Sequence, residues 1–392
     1  MEKYMRGRYL SVYSDREMNR RWAEARKYME SDDLDCIIMF ANDYWQGGCI
    51  RYFTDWSADF GFGSFVVITK DDGLALISHG QEGTPSMPLD AARGFDSNRA
   101  VPFIPAVPCT NRYMPEAVLA YLKKHNCRKI GIYLKNLIPY GVVQYLEDNI
   151  DGAEIRSADL GIEYIKAVKS EEELEIIRHS IKLHDQIYAT IPLFLRPGRK
   201  EREVAADLKK VAWDIGCEYM NIMVARGYPK PGHRPYQMQD ETIMPGDMLD
   251  IMVEVCSPGE YWGELGRTWC LGTPTDEQIQ ANKDTAYMQD VLASYAKPGF
   301  KCKDLRKILH DFERERGYEL EGRLFGHGHG TGMMERPGYD VDEVMEFREN
   351  MYISIHPAMQ TDTIWAQNTD NYLVTKDGAV RLPQTARGIF CL

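Results

Sequence analysis

Nowhere in the 392 residues does an uninterrupted apolar run approach the roughly 20 needed to cross a bilayer. No membrane-spanning helix is expected. Positive charge is also scarce: 47 Lys and Arg stand against 59 Asp and Glu, for a formal net charge of −12. A nucleic-acid or anionic-membrane surface needs a basic patch, so neither partner is expected. The nine cysteines include no pair at C-x-x-C spacing, which excludes a zinc knuckle and a dithiol motif. Several lie in apolar runs, where free Cys behaves as a small hydrophobe. The opening Met1-Glu2-Lys3-Tyr4-Met5-Arg6 is followed by no apolar core, so no signal peptide is read. A reducing cytoplasm is the expected location. Short repeats and low-complexity linkers are absent too. What is present is an ordinary globular composition, 44% hydrophobic and 27% charged, in a chain long enough for two domains.

The first part alternates helix and strand signals. Ser14 to Glu17 is a capping box, and Met18, Trp22 and Ala25 follow on one helical face. Cys36 to Phe40 is a short buried strand. Ser64 to Ser78 is a hairpin through Asp71-Asp72-Gly73. Helix-like Pro115–Lys124 and Tyr140–Leu146 alternate with strand-like Lys129–Leu134 and Ala153–Arg156. This pattern predicts a smaller α/β domain over residues 1–160. Between its strands lies an aromatic, glycine-rich stretch with Tyr44, Trp45, Tyr52, Phe53, Trp56, Phe60 and Phe62. It reads either as core and turn or as a lid over a small ligand.

A second capping box, Ser170 to Glu173, opens a long helix with Leu174, Ile177, Ile181 and Tyr188 on one face. Pro197-Gly198 breaks it, and Val204, Leu208, Val211 and Ile215 mark the next helix, which Gly216 stops. Further on, Pro245-Gly246-Asp247 is a turn, Met248–Cys256 a strand, Ser257-Pro258-Gly259 a second turn and Tyr261–Leu271 the return strand. Asp250, Glu254 and Glu264 interrupt these apolar strands. A buried carboxylate needs a cation, a metal or a proton beside it. An ion pair with Arg267, or exposure, is the plain expectation for Asp250 and Glu254. Two more helices, Asp276–Ala296 and Cys302–Arg316, precede the last strands. In that part Gly326-His327-Gly328-His329-Gly330 lets backbone approach a ligand and places two imidazoles on one segment.

These landmarks together resemble the superfamily of aminopeptidase P, prolidase, methionine aminopeptidase and creatinase. Gly246-Asp247, Tyr261 and Arg267-Thr268 match its paired strands. The loop at His327 is similar to its Gly-His-Gly-Ile-Gly segment. Glu349 to Pro357 resembles the strand that ends Glu-Pro, and Thr369 to Thr375 the last strand, Glu-Asp-x-x-x-Val-Thr. Pro231-Gly232-His233-Arg234-Pro235 sits where the family places its active-site His. The resemblance implies an α+β chain: a C-terminal pita-bread domain over 161–392 behind a creatinase/prolidase-type α/β domain. It also implies a homodimer, with one subunit's N-terminal domain overhanging its partner's pocket.

The carboxylates depart from the family pattern. The dinuclear ligand positions fall on Met252, Glu264, His327, His356 and Thr369. Thioether and hydroxyl are poor ligands for hard divalent ions, so no dinuclear metal site is expected. One reading is a creatinase-like hydrolase of a C–N bond in a small molecule, without cofactor. His233 is then general acid/base, with Glu264, His327 and His356 positioning substrate and water. Trp56, Phe62, Tyr261, His329 and Arg336 are candidate substrate contacts. A second reading is a mononuclear hydrolase or lyase holding one divalent metal (Zn, Fe or Mn) on Glu264, His327 and His356. A third is a peptidase-related binding protein without catalysis.

Overall fold

Ser14 holds the start of the first helix: its Oγ accepts the Glu17 N–H at 3.1 Å, which satisfies one free amide of α1 (Asp15–Ser31). The computed structural model describes residues 12–392 except 44, 47, 59–60, 89–90 and 228–239. It divides into two compact units, Met1–Lys166 with Thr331–Met333, and Ala167–Gly330 with Met334–Leu392.

In the first unit, β1 (Cys36–Ala41), β2 (Ser64–Thr69), β3 (Leu74–His79), β4 (Ser97–Val101), β5 (Lys129–Tyr133) and β6 (Glu154–Ser157) form one mixed sheet. Its order is β4-β3-β2-β1-β5-β6. The helices are α1, α2 (Gly48–Thr54), α3 (Tyr113–Lys124), α4 (Tyr140–Asn149) and α5 (Asp159–Ala167). Ile38, Phe40, Phe65, Val67, Ile130 and Ile132 bury one sheet face against Val118, Leu122, Val142 and Leu146 of α3 and α4. The aromatic stretch holds a helix, α2, that the pattern does not predict. Every residue of α2 is buried, so it has no polar face and shows no amphipathic period. β4 is also unpredicted, because its Ser97, Asn98 and Arg99 are polar and partly exposed. The boundary expected at residue 160 falls at the start of α5, and the first unit runs on to Lys166.

In the second unit, α6 (Glu171–Phe194) opens on a capping box. Ser170 Oγ accepts the Glu173 N–H at 3.2 Å, and Glu173 Oε2 accepts the Ser170 N–H at 2.7 Å. Gly198, at φ 88°, turns the chain into α7 (Glu201–Asp214). There follow β7 (Tyr219–Gly227), β8 (Met248–Cys256), β9 (Trp262–Cys270), α8 (Asp276–Tyr295) and α9 (Asp304–Arg316). The last strands are β10 (His327–Gly328), β11 (Glu335–Gly338), β12 (Tyr352–Ile355), β13 (Ala358–Gln360), β14 (Trp365–Gln367), β15 (Asp370–Thr375), β16 (Gly378–Arg381) and β17 (Phe390–Cys391). One sheet runs β17-β9-β8-β7, another β11-β10-β12-β15-β16, and β13 pairs with β14. Among the described residues no helix is long and apolar enough to cross a membrane.

Strand alternation fixes the two faces of β7–β9. Ile222, Val224, Leu249, Ile251, Val253, Val255 and Leu265 pack with Leu183, Ile187, Ile191, Val204 and Leu208 of α6 and α7. The residues between them therefore look the other way: Asn221 and Met223 on β7, Asp250, Met252 and Glu254 on β8, Glu264 and Gly266 on β9. An antiparallel bridge then ties β9 to the residue before β15: the Gly266 and Thr369 amides donate to each other's carbonyls at 3.2 and 3.0 Å. Arg267 locks this junction by donating to Thr369 O at 2.8 Å and to Asp370 Oδ1 at 2.6 Å. Arg267 is thus committed to Asp370, and the plain expectation that it pairs with Asp250 or Glu254 fails. Both of those carboxylates are buried, so exposure fails as well.

If this helix-facing side is the core, Leu265→Ala should lower the free energy of unfolding by about 2–5 kcal/mol. Urea titration would read this as a lower midpoint at an unchanged slope. A change below about 0.5 kcal/mol would contradict the assignment of the faces.

Candidate active site

The inner face of β7–β9 meets the second sheet at a cluster of one carboxylate and three imidazoles. Glu264 comes from the middle of β9, His327 from β10, His329 from the residue after it, and His356 from the residue after β12. The histidine segment needs its glycines. A Cβ on Gly328 would lie 2.3 Å from the Arg336 carbonyl oxygen, and one on Gly330 2.3 Å from the Glu335 carboxylate. These close approaches let β10 lie against β11 and bring both imidazoles inward.

Glu264 Oε1 stands 3.5 Å from His356 Nε2, 3.6 Å from His329 Nε2 and 4.0 Å from His327 Nε2. All four side chains are buried. Among the described residues, Glu264 Oε1 and both ring nitrogens of His329 and His356 make no hydrogen bond. His327 Nδ1 lies 2.9 Å from the Gly328 carbonyl oxygen. A carbonyl only accepts, so in the neutral ring Nδ1 carries the proton and Nε2 presents a lone pair to the cluster. Burial alone would raise the Glu264 pKa, but the imidazoles of His356, His329 and His327 outweigh it and hold the carboxyl well below its ordinary range. Burial, then the neighbouring His329 ring, push His327 down to about 3, and burial also lowers His356. At neutral pH Glu264 is an ionised carboxylate beside the uncharged rings of His327 and His356.

A second carboxyl lies next to it. Glu254 is the direct cross-strand partner of Glu264 and of Asn221. Asn221 Nδ2 donates to Glu254 Oε2 at 2.6 Å. Burial, and then the Glu264 charge, raise Glu254 to about 8. Backbone support is provided by Asn371, whose Oδ1 accepts the Glu264 N–H at 2.9 Å, and by Gln289. The Gln289 amide donates to the carbonyls of Ile355 at 2.8 Å and Asn368 at 3.0 Å.

The donor set fits one cation. Glu264, His327 and His356 each offer a ligand atom, and these atoms lie within 4.8 Å of one another. Two imidazoles and one carboxylate suit zinc or iron. The resemblance places ligands of a second ion at Met252 and Thr369, whose side chains both approach Gly266. A Cβ on Gly266 would meet Met252 Sδ at 2.9 Å and Thr369 Oγ1 at 3.0 Å. Thr369 Oγ1 itself accepts from Gln367 Nε2 at 3.2 Å.

His233 and Phe60 lie outside the described residues. Tyr261 is fully buried and its hydroxyl donates to Glu173. The Arg336 guanidinium forks onto Glu343, with Nε at 3.0 Å from Oε2. Trp56 and Phe62 belong to the first unit, where Phe62 stacks on His79 with ring centres 4.3 Å apart. The sequence presents Glu254 only as an ion-paired or exposed carboxylate, and it does not single out Asn221, Asn371 or Gln289. The sequence-read turn at Ser257–Gly259 sets the register two residues off the observed one, in which Glu254 faces Glu264.

A model of metallopeptidase family M24 matches residues 175–382. The Xaa-Pro dipeptidase of Pyrococcus horikoshii is 28% identical over 272 residues, 68% of this chain and 76% of that protein. A probable dipeptidase, PepE, of Mycobacterium tuberculosis is 24% identical over 347 residues, 80% of this chain and 90% of the relative. The crystal structure of the prolidase from Pyrococcus horikoshii superimposes with a TM-score of 0.76 at 24% identity, over 94% of this chain and 99% of that one. That of the dipeptidase PepE from Mycobacterium ulcerans gives 0.78 at 18% identity, over 97% and 99%. At these identities the superpositions show the fold: a prolidase-like arrangement of a small α/β domain and a C-terminal pita-bread domain.

The Glu254 shift has a consequence for stability. The folded chain keeps this proton up to about pH 8, whereas the ordinary value is 4.5. A raised carboxyl pKa means that the folded state binds the extra proton between those values. Its contribution therefore declines as pH rises through that window. In chelator, wild-type protein should lose thermal stability between about pH 5 and 8 more steeply than Glu254→Gln. Parallel curves would contradict the assignment.

Proposed function

The chain belongs to metallopeptidase family M24, and within this family of hydrolases we propose that it hydrolyses a C–N bond of a small polar substrate without a dinuclear metal centre. One observation carries the reading: Glu264, His327 and His356 form a buried cluster of ligand-type side chains, while Met252 and Thr369 stand where the resemblance places two further metal ligands. The relatives' name, Xaa-Pro dipeptidase, suggests the class of bond. The donor set argues against their dinuclear chemistry here.

Each residue has a task in this reading. Glu264, held as a carboxylate, accepts a hydrogen bond from the attacking water and orients it. It is a weak base for the same reason. His356 is uncharged and has uncommitted ring nitrogens, so it takes the water proton as the oxygen attacks. Its protonated ring, or His233, returns a proton to the leaving nitrogen. The role of His233 rests on the family resemblance of its loop. His329 packs beside Glu264 and contacts the substrate's polar edge. Trp56, Phe62, Tyr261 and Arg336 remain candidate substrate contacts on sequence grounds alone, and homodimerisation stands on the same footing.

A second reading, a mononuclear hydrolase or lyase, is favoured by the His327 tautomer. Its Nε2 lone pair faces a carboxylate oxygen at 4.0 Å, an arrangement that a cation between them would stabilise. Glu264, His327 and His356 would hold it. A divalent ion bound there supplies Lewis-acid activation.

The test is turnover on two panels, Xaa-Pro dipeptides and small amides, ureas and amidines. Only the second panel should be hydrolysed, and His356→Ala should lower kcat by about 100- to 10,000-fold with the fold intact. Metal content separates the two readings. His356→Ala leaves it at its original low level in the first, and lowers metal affinity and activity together in the second. Cleavage of Xaa-Pro dipeptides stimulated by added manganese or cobalt would overturn the proposal.

A further inference from the structure

The sequence carries no cysteine pair at short spacing, but the fold brings two distant cysteines together. β17 lies parallel to β9, with Phe390 opposite Trp269 and Cys391 opposite Cys270. The Leu392 amide donates to the Cys270 carbonyl at 3.0 Å and fixes that register. Successive side chains on a strand point to opposite faces. Phe390 and Trp269 stack with ring centres 4.8 Å apart on the helix-facing side. Both cysteines therefore project from the other side, next to each other. Neighbouring strands lie about 4.7–4.9 Å apart, inside the window of about 4.4–6.8 Å between Cα atoms that a disulfide needs. Both thiols are free.

Access sets this pair apart. Cys391 is exposed and Cys270 is buried; of the remaining cysteines, Cys109 in the first unit is exposed and the others are buried. Burial, and then the adjacent Cys391 thiol, raise the Cys270 pKa. The sulfur that meets an oxidant from solution is thus that of Cys391, and Cys270 stands behind it as a protonated thiol. The segment before β17 is already tied to the same strand, because Arg267 Nε donates to the Ala386 carbonyl at 2.8 Å.

We propose that Cys391 and Cys270 form a reversible redox site, in which Cys391 is modified by a small-molecule disulfide and Cys270 resolves the adduct into a bond that staples β17 to β9. In the first step the Cys391 sulfur attacks one sulfur of the oxidant. A mixed disulfide forms, the oxidant's S–S bond breaks, and its second sulfur leaves as a thiol with the Cys391 proton. In the second step the Cys270 sulfur attacks that of Cys391. The mixed disulfide breaks, and the other half of the oxidant leaves as a thiol with the Cys270 proton. Two protein thiols are oxidised and one small disulfide is reduced to two thiols. The ring closed from Cys270 to Cys391 contains α8, α9 and the His327–His329 segment, and cross-links over long stretches restrict the unfolded chain most. An exposed disulfide of this kind is readily reduced again. The site is separate from the proposed hydrolysis and does not rest on it.

Glutathione disulfide is the probe. The chain carrying Cys109→Ser, which removes the other exposed thiol, is reduced, freed of reductant and incubated with the probe under native conditions. Intact mass and peptide mapping without reductant read the product. A Cys270–Cys391 disulfide with no retained glutathione is expected, with a rise in Tm of about 5–10 °C that dithiothreitol reverses. Cys270→Ser in the same background should stop at the mixed disulfide, with glutathione kept on Cys391, and Cys391→Ser should take up none. Circular dichroism checks that both variants fold. Glutathione retained on Cys391 while Cys270 is present, or Cys391 left as a free thiol, would overturn the proposal. That result comes from the chain with both cysteines intact, so it decides the matter even where a variant does not fold.

Discussion

The buried carboxylate of Glu264 is the constraint on which the second unit is organised. An ionised group taken out of water is tolerated only when its surroundings supply compensating charge or hydrogen bonds. Here the chain supplies three imidazoles and a backbone junction. Alternation along β9 points Glu264 away from the helix-facing core. Asn371 holds its amide, the Gly266–Thr369 bridge joins the two sheets beside it, and Arg267 locks that bridge through Asp370. The glycines of the histidine segment admit His327 and His329 at the distance the carboxylate requires. Much of the polar interior serves to hold one charged oxygen in place.

The same scaffold can host different chemistry once its ligand positions change. By the resemblance Met252 stands where the family has a hard anionic donor and offers a soft, bulky thioether, and Thr369, at another such position, offers a hydroxyl already engaged by Gln367. Neither side chain carries a charge, and the carboxyl of Glu254, on the same face of β8, is held protonated by burial and by Glu264.

Much of this was legible in the sequence, for identifiable reasons. The β8–β9 hairpin could be bounded because its turns carry Pro and Gly and its apolar runs are long. The capping box at Ser170 is local chemistry and sets the start of α6 without help from tertiary structure. By contrast, α2 is buried on every side and leaves no periodic trace. Arg267 looked like a partner for the hairpin acids, because sequence proximity cannot reveal that Asp370 lies closer in space. The meeting of Glu264, His327 and His356 is also a tertiary fact. Spacing does not encode it, and only the family resemblance suggested it. The pairing of Glu254 with Glu264 depends on a loop two residues longer than the turn signal, and its burial on a sheet packing that the hairpin alone does not specify.

Metal stoichiometry tests the account at its centre. The protein would be dialysed against excess zinc, iron(II) or manganese, freed of loose ions, and its metal counted by elemental analysis alongside density at Glu264, His327 and His356. The account predicts at most one divalent ion per chain, held by those three residues, with none between Met252 and Thr369. Two fully occupied ions about 3.5–4 Å apart would contradict it and return the protein to the dinuclear peptidases.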